Sequence, residues 1–228
     1  MKIPAIVYLL SAIITVYSSL VTAQEALRQI KVLDEQSKII ALTFDDGPIL
    51  GVTQPMLSLL DKYQAKATFF NIGKKIKQNP QLTHLVIASG HEIGNHSWSH
   101  KKLTELNSEQ QQLEIHQFQQ QAKLVGLKPT LFRAPFLKTN QSIEQLLIDE
   151  QLLLVSASVM AKDAKKNVAV NNIVKKLSEG IKSGDIILMH EREHTLQALK
   201  ILLPLWKQEG YQFVTVSQLI ALSVVTED

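Results

Sequence analysis

The chain has no cysteine among its 228 residues. That excludes disulfides, a thiol nucleophile, thiolate metal ligands and a lipid anchor on cysteine. A clustered basic face is missing as well. The 24 Lys and Arg are interspersed with 21 Asp and Glu, for a formal charge of +3, which is not the footprint of a nucleic-acid binder. Lys74-Lys75-Ile76-Lys77 and Lys165-Lys166 read as solvated surface. No internal repeat longer than a strand-helix unit is present, and the length leaves no room for a second domain of ordinary size. Stability must therefore come from one hydrophobic core.

Residues 1–23 carry a single charge, Lys2, followed by an apolar run from Ile3 to Val21 that ends in Val21-Thr22-Ala23. Small residues at that position suit cleavage of a secretory signal peptide, and export to the periplasm or outside is expected. The other reading is an uncleaved anchor, because the run approaches the ~20 residues that span a bilayer. Residues 24–37 form an N-terminal segment and 38–228 the expected domain. Removing Lys2 brings the charge from +3 to +2.

From residue 38 onward, short apolar runs alternate with helical patterns. Strands are predicted at 38–44, 66–72, 91–94, 130–133, 152–159, 185–190 and 212–216. Helices are predicted at 53–63, 79–89, 108–126, 141–150, 171–182, 195–209 and 217–223. Alternation of this kind gives parallel strands linked by helices, so the fold class is α/β, a distorted or incomplete (β/α) barrel of about seven strands. In the helix starting near Ser108, Ser108 and Gln111 form a candidate capping box, with Leu113, Phe118, Ala122 and Val125 as its apolar positions. Its glutamines, with His116 there and His84 in another helix, read as solvated surface.

Barrel chemistry collects at the C-terminal ends of the strands, and four stretches fall there. The first is Thr43-Phe44-Asp45-Asp46-Gly47-Pro48. Adjacent side chains on a strand point oppositely, so the two carboxylates are expected to take different jobs, one on a metal and one on a proton. By itself Asp-Asp-Gly-Pro is also an ordinary turn. Next comes His96-Ser97-Trp98-Ser99-His100, where a four-residue spacing on a helical turn would face both imidazoles the same way. Two nitrogens and one carboxylate leave coordination positions open, the mark of a catalytic metal site. Arg133-Ala134-Pro135-Phe136 and Leu188-Met189-His190 follow, supplying a cation and a candidate acid. Read singly, Arg133 could be a surface arginine and His190 a core histidine.

In order and in spacing these four stretches resemble the polysaccharide deacetylases of the NodB-homology type, carbohydrate esterase family 4. The resemblance spans about residues 36–220. It implies a metal-dependent hydrolase that removes N-acetyl groups from an N-acetylated polysaccharide or oligosaccharide, such as peptidoglycan, a chitin-like oligomer or an exopolysaccharide. Asp46, His96 and His100 would hold the metal, with Zn2+ expected and Co2+ or Ni2+ compatible with the same ligands. Asp45 would be the general base, Arg133 its partner, and His190 the general acid. The backbone N-H of Phe136, beside Pro135, would serve the oxyanion, although Phe stands where relatives have Tyr. Asp163 matches the carboxylate that orients the acid histidine, but Ala164 stands where relatives carry Trp. Leu137 replaces a common Gly. Leu188 or Trp98 would then refill the acetyl pocket. The implied partner is the glycan alone, with no nucleic acid, no stable membrane partner after cleavage, and a monomer. Two other readings remain: a catalytically silent glycan binder of the same fold, and a hydrolase of a small non-sugar amide.

Overall fold

The computed structural model describes residues 35–224. The expected leader and residues 24–34 lie outside them. Among the described residues, no helix is long and apolar enough to cross a membrane.

The elements run β1 Ile39–Gly47, α1 Thr53–Lys62, β2 Ala67–Asn71, α2 Gly73–Gln78, α3 Pro80–Ala88, β3 Glu92–Asn95, α4 Ser108–Leu124, β4 Leu131–Phe132, α5 Gln141–Asp149, β5 Leu153–Leu154, β6 Val159–Met160, α6 Val170–Ser178, β7 Ile186–His190, α7 Glu193–Gln208, β8 Gln212–Phe213 and α8 Val216–Val224. All strand pairs are parallel, in the order β5-β4-β3-β2-β1-β7-β6, and β8 lies beside the first residues of β1. This is the open (β/α) barrel expected from the alternation of patterns.

The period of two along β1 sets the two layers of the core. Ile40, Leu42 and Phe44 face the helices and pack with Met56, Leu60, Leu199 and Trp206. Ala41 faces the lumen, where it clusters with Phe70, Leu131, Val155, Val216 and Leu219. Thr43 and Asp45 continue the lumen-facing series toward the C-terminal edge. The sheet is covered on one face by helices, and α8 closes the lumen at its opposite end.

The predicted strand at 152–159 is two strands. Leu153–Leu154 pairs with β4, Val159–Met160 pairs with β7, and these are the two ends of the sheet. Residues 155–158 cross the open seam between them. Here the main chain turns its carbonyls inward: Val155 O and Ser156 O accept from Nε and Nη2 of Arg133. Ser156-Ala157-Ser158, set between the apolar residues 152–155 and Val159, is the one mark of the break in the sequence. The last strand is also shorter than expected, ending at Phe213, and α2 was not foreseen.

The cap of α4 sits one residue earlier than predicted. Asn107 accepts from Gln110 N, and the Gln110 side chain accepts from Asn107 N, completing the box. Gln111 is instead buried, donating to the carbonyls of Leu103 and Leu106 and accepting from Ser142. Leu113 is exposed, so the glutamine-rich face is not all solvated nor the apolar one all buried. His84 is exposed as expected, while His116 pairs with Glu150.

Gly94 in β3 has no room for a side chain, since a Cβ there would lie 2.5 Å from Cδ1 and Cε1 of Phe70. Phe70 is fully buried, and the Arg133 guanidinium carbon lies 4.1 Å from its ring centre. Overpacking of this kind costs about 1–3 kcal/mol. Gly94→Ala is therefore expected to lower the thermal midpoint measurably and to weaken activity through Arg133; an unchanged melting curve would refute the packing argument.

Candidate active site

Two backbone irregularities build the site. β1 carries a bulge between Asp45 and Gly47 in its register with β2, and Asp46 within it has φ 70°. The twist defeats the expected opposite orientation of the two carboxylates. Asp45 Oδ2 lies 3.9 Å and Asp46 Oδ1 3.7 Å from the same atom, His96 Nε2.

The second irregularity follows β3. His96 to His100 is a loop with φ 62° at Ser97 and φ 60° at His100, not the helical turn read from the spacing. Side-chain bonds hold it: Ser97 Oγ accepts from His100 N, and Asn95 Oδ1 accepts from Ser97 N. Glu114 of α4 accepts from Ser99 N and from Ser99 Oγ. The rings of His96 and His100 end 4.9 Å apart, centre to centre.

Asp46, His96 and His100 each offer a donor atom, all within 4.8 Å of one another. The chemistry of these atoms suits a cation. Arg133 O lies 2.8 Å from His96 Nδ1; a carbonyl only accepts, so Nδ1 carries the proton and Nε2 presents a lone pair. Burial lowers the His96 pKa despite the pull of Asp45, keeping the ring neutral. Asp46 Oδ1 is buried with no hydrogen-bond partner and stands 3.3 Å from His100 Nε2. Burial alone would raise the Asp46 pKa, but His100, His96, His190 and Arg192 together bring it below the usual carboxylate value. The site can therefore hold a divalent ion with two imidazoles and one carboxylate.

Arg133 is fully buried. Its Nη1 donates to Asp45 Oδ1 at 2.8 Å and to Thr43 Oγ1 at 2.7 Å, while Thr43 donates onward to Ile187 O. Asp45 thus has one oxygen committed to the arginine and the other turned to the site.

Across the lumen, Asp163 Oδ1 accepts from His190 Nδ1 at 2.8 Å, and Asp163 Oδ2 accepts from His190 N and Thr195 Oγ1. His194 Nε2 donates to Asp163 O. Burial opposes protonation of His190, yet the Asp163 bond and charge, with Asp45 and Asp46 behind them, raise its pKa above the ordinary histidine value. Phe136 has φ 60° and stays 59% exposed, with its ring 4.9 Å from that of His100. Leu137, φ 54°, follows it. Leu188 is buried in β7 between Thr43 and Met160. The Trp98 ring lies against the start of α2, where a Cβ on Gly73 would meet its ring carbon Cε3 at 2.5 Å. Ala164 is exposed.

Several residues of the site were not singled out in the sequence. Lys75, read as solvated surface, is half-buried and donates from Nζ to Asp46 O at 2.6 Å. Arg192 Nη2 lies 2.7 Å from Asp46 Oδ2. Glu191 is fully buried, bonded by Thr53 Oγ1, and burial raises its pKa to about 7. Its Oε1 fills the space where a Cβ on Gly47 would be, 1.5 Å away. A charged pair directly after the candidate acid at a strand end was the available signal for Glu191 and Arg192.

The sequence profile of the polysaccharide deacetylase family matches residues 33–152. Peptidoglycan-N-acetylglucosamine deacetylase of Bacillus cereus is 38% identical over 189 residues, covering 80% of this chain and 88% of that protein. Peptidoglycan-N-acetylmuramic acid deacetylase PdaC of Bacillus subtilis is 35% identical over 190 residues, and the match covers 82% of this chain but 40% of that longer protein. The solved structure of PdaC superposes with a TM-score of 0.80 at 32% identity, covering 86% of this chain and 96% of the solved one. With a family profile over half its length and a relative matched nearly end to end, the chain belongs to the polysaccharide deacetylase family.

Proposed function

We propose that this chain is a metal-dependent N-deacetylase of an extracytoplasmic N-acetylated glycan, with peptidoglycan as the polymer and zinc as the ion. One observation carries the reading. The buried, unpartnered Asp46 Oδ1 faces the Nε2 atoms of His96 and His100, and this set of three is flanked by a carboxylate pinned to an arginine and an imidazole pinned to an aspartate. The names of the relatives support the polymer, since they act on peptidoglycan N-acetylglucosamine and N-acetylmuramic acid.

Asp46, His96 and His100 hold the ion. When bound, it supplies Lewis-acid polarisation of the acetamide and lowers the pKa of water toward about 7. The protein's own residues do the rest. Asp45 Oδ2 takes the proton of the attacking water, its other oxygen being fixed by Arg133 Nη1. The N-H of Phe136 donates to the oxyanion that develops on the acetyl oxygen. His190, its Nδ1–H held by Asp163 Oδ1, acts as the imidazolium and gives the Nε2 proton to the departing amine, leaving a neutral ring that keeps its Nδ1–H. Exposed Phe136 and Met160 at the mouth, with Ala164 in place of a wall, leave the site open to a polymer rather than closed around a small amide. Export through a leader at 1–23 agrees with a substrate outside the cytoplasm.

Acetate release from peptidoglycan, chitin oligomers, poly-N-acetylglucosamine and acetylxylan, with zinc added or chelated, tests the proposal. Zinc-dependent release from peptidoglycan is expected; folded, zinc-loaded protein that releases acetate from none of them refutes it. Asp45→Asn is expected to lower kcat by about 10²–10⁴-fold while zinc content, read by elemental analysis, stays near one per chain. Loss of the metal in this variant would show that the base and ligand roles are wrongly divided.

The raised pKa of His190 gives a pH prediction. As a general acid it acts only while protonated, so activity falls as pH rises through its pKa. Asp163 holds that pKa up. Asp163→Asn is therefore expected to move the alkaline limb of kcat against pH to lower pH, and a limb that stays in place removes the pair from proton transfer.

A further inference from the structure

Asp46 has two oxygens with opposite surroundings. Oδ1 is buried, has no hydrogen-bond partner and faces the two histidines. Oδ2 is taken by Arg192 Nη2 at 2.7 Å. The same guanidinium is steadied from behind, where Nη1 donates to its neighbour's carbonyl, Glu191 O, at 3.2 Å. On the main-chain side, Lys75 Nζ donates to Asp46 O at 2.6 Å. The ligand residue is thus gripped at its outer carboxylate oxygen and at its carbonyl by two cations, Arg192 from the loop after β7 and Lys75 from helix α2.

We propose that Arg192 is a positioning residue that restricts Asp46 to one-oxygen coordination and keeps the ion's charge incompletely neutralised. This rests on the reading of Asp46, His96 and His100 as ion ligands. A carboxylate free to rotate can offer both oxygens to a cation; one whose outer oxygen is held by a guanidinium cannot. The fixed positive charge one carboxylate away from the ion also opposes its binding. Repulsion between a unit and a double charge across so short a span outweighs the restraint of one side-chain rotamer, even after screening at a partly exposed arginine. The ion is held less tightly than three such ligands alone would hold it, and it stays a stronger electrophile toward a carbonyl oxygen. Arg133 does the converse service for Asp45, fixing one oxygen of a carboxylate that handles a proton.

Zinc titration of the metal-free full chain by competition with a chromophoric chelator tests this on Arg192→Gln and Arg192→Lys, with thermal melts of the metal-free proteins as a check on folding. Arg192→Gln removes the charge and is expected to bind zinc about tenfold more tightly, with kcat lowered and KM unchanged. Arg192→Lys keeps the charge and is expected to stay within about threefold of the wild type. A Gln variant that binds zinc as weakly as the wild type, or more weakly, overturns the proposal while leaving the ligand reading intact. A wild-type chain that binds no zinc, or an Asp46→Asn variant that binds it as tightly as the wild type, overturns the ligand reading together with the proposal.

Discussion

The buried pair between Arg133 and Asp45 is the constraint on which the barrel and its chemistry both depend. Taking a guanidinium and a carboxylate out of water is costly, and an ion pair in a dry interior repays that cost only when further hydrogen bonds take up the donors. Here four of the five N–H groups are spent on Asp45, Thr43 and the carbonyls of Val155 and Ser156, with the Phe70 ring under the guanidinium. The carbonyls belong to the segment that crosses the open seam, so the same side chain that orients the Asp45 carboxylate, the proposed base, ties the two ends of the sheet. Stability and reactivity share one group, and neither can be altered alone.

Strain is concentrated at the same end of the barrel. Asp46, Ser97, His100, Phe136, Leu137 and Lys162 all have positive φ without being glycine, each a conformation that costs an L-residue about 1–2 kcal/mol. These residues lie in the loops or strand ends that carry the two aspartates, the two histidines, Phe136 and Asp163. The core beneath is parallel sheet in continuous register through β7, β1, β2 and β3 up to the β1 bulge, and it supplies the rigidity that holds these loops away from their relaxed conformations.

Much of this was readable in the chain. Alternation of apolar runs with helical patterns reports layers, and the strand-end position of Asp45, Asp46, Arg133 and His190 reports the reactive edge, because both are local properties. What was not readable depends on contacts distant in sequence. Residues 152–159 read as one strand although Ser156 and Ser158 interrupt the apolar run, and pairing with β4 on one side and β7 on the other divides them. The four-residue spacing of His96 and His100 suggested a helix, yet side-chain bonds from Ser97, Asn95 and Glu114 impose a loop that meets the same requirement by another route. Lys75 looked like one of many surface lysines until a carbonyl displaced by the β1 bulge came within its reach. Ser108 and Gln111 satisfied the capping pattern one residue out of phase with Asn107 and Gln110, and only the hydrogen bonds decide between the two frames.

The carboxylate of Glu191 lies where a side chain on Gly47 would begin, and this links two positions 144 residues apart in the chain. Any heritable change that gives position 47 a side chain must be accompanied by a shift or a smaller residue at 191, and the Asn71 Oδ1, 2.6 Å from the same point, must give way as well. The two should therefore vary together across descendants, and a chimera that takes the first strand from one parent and the seventh from another inherits a clash or a hole. The boundary for recombining such proteins runs around this pair, not between its members.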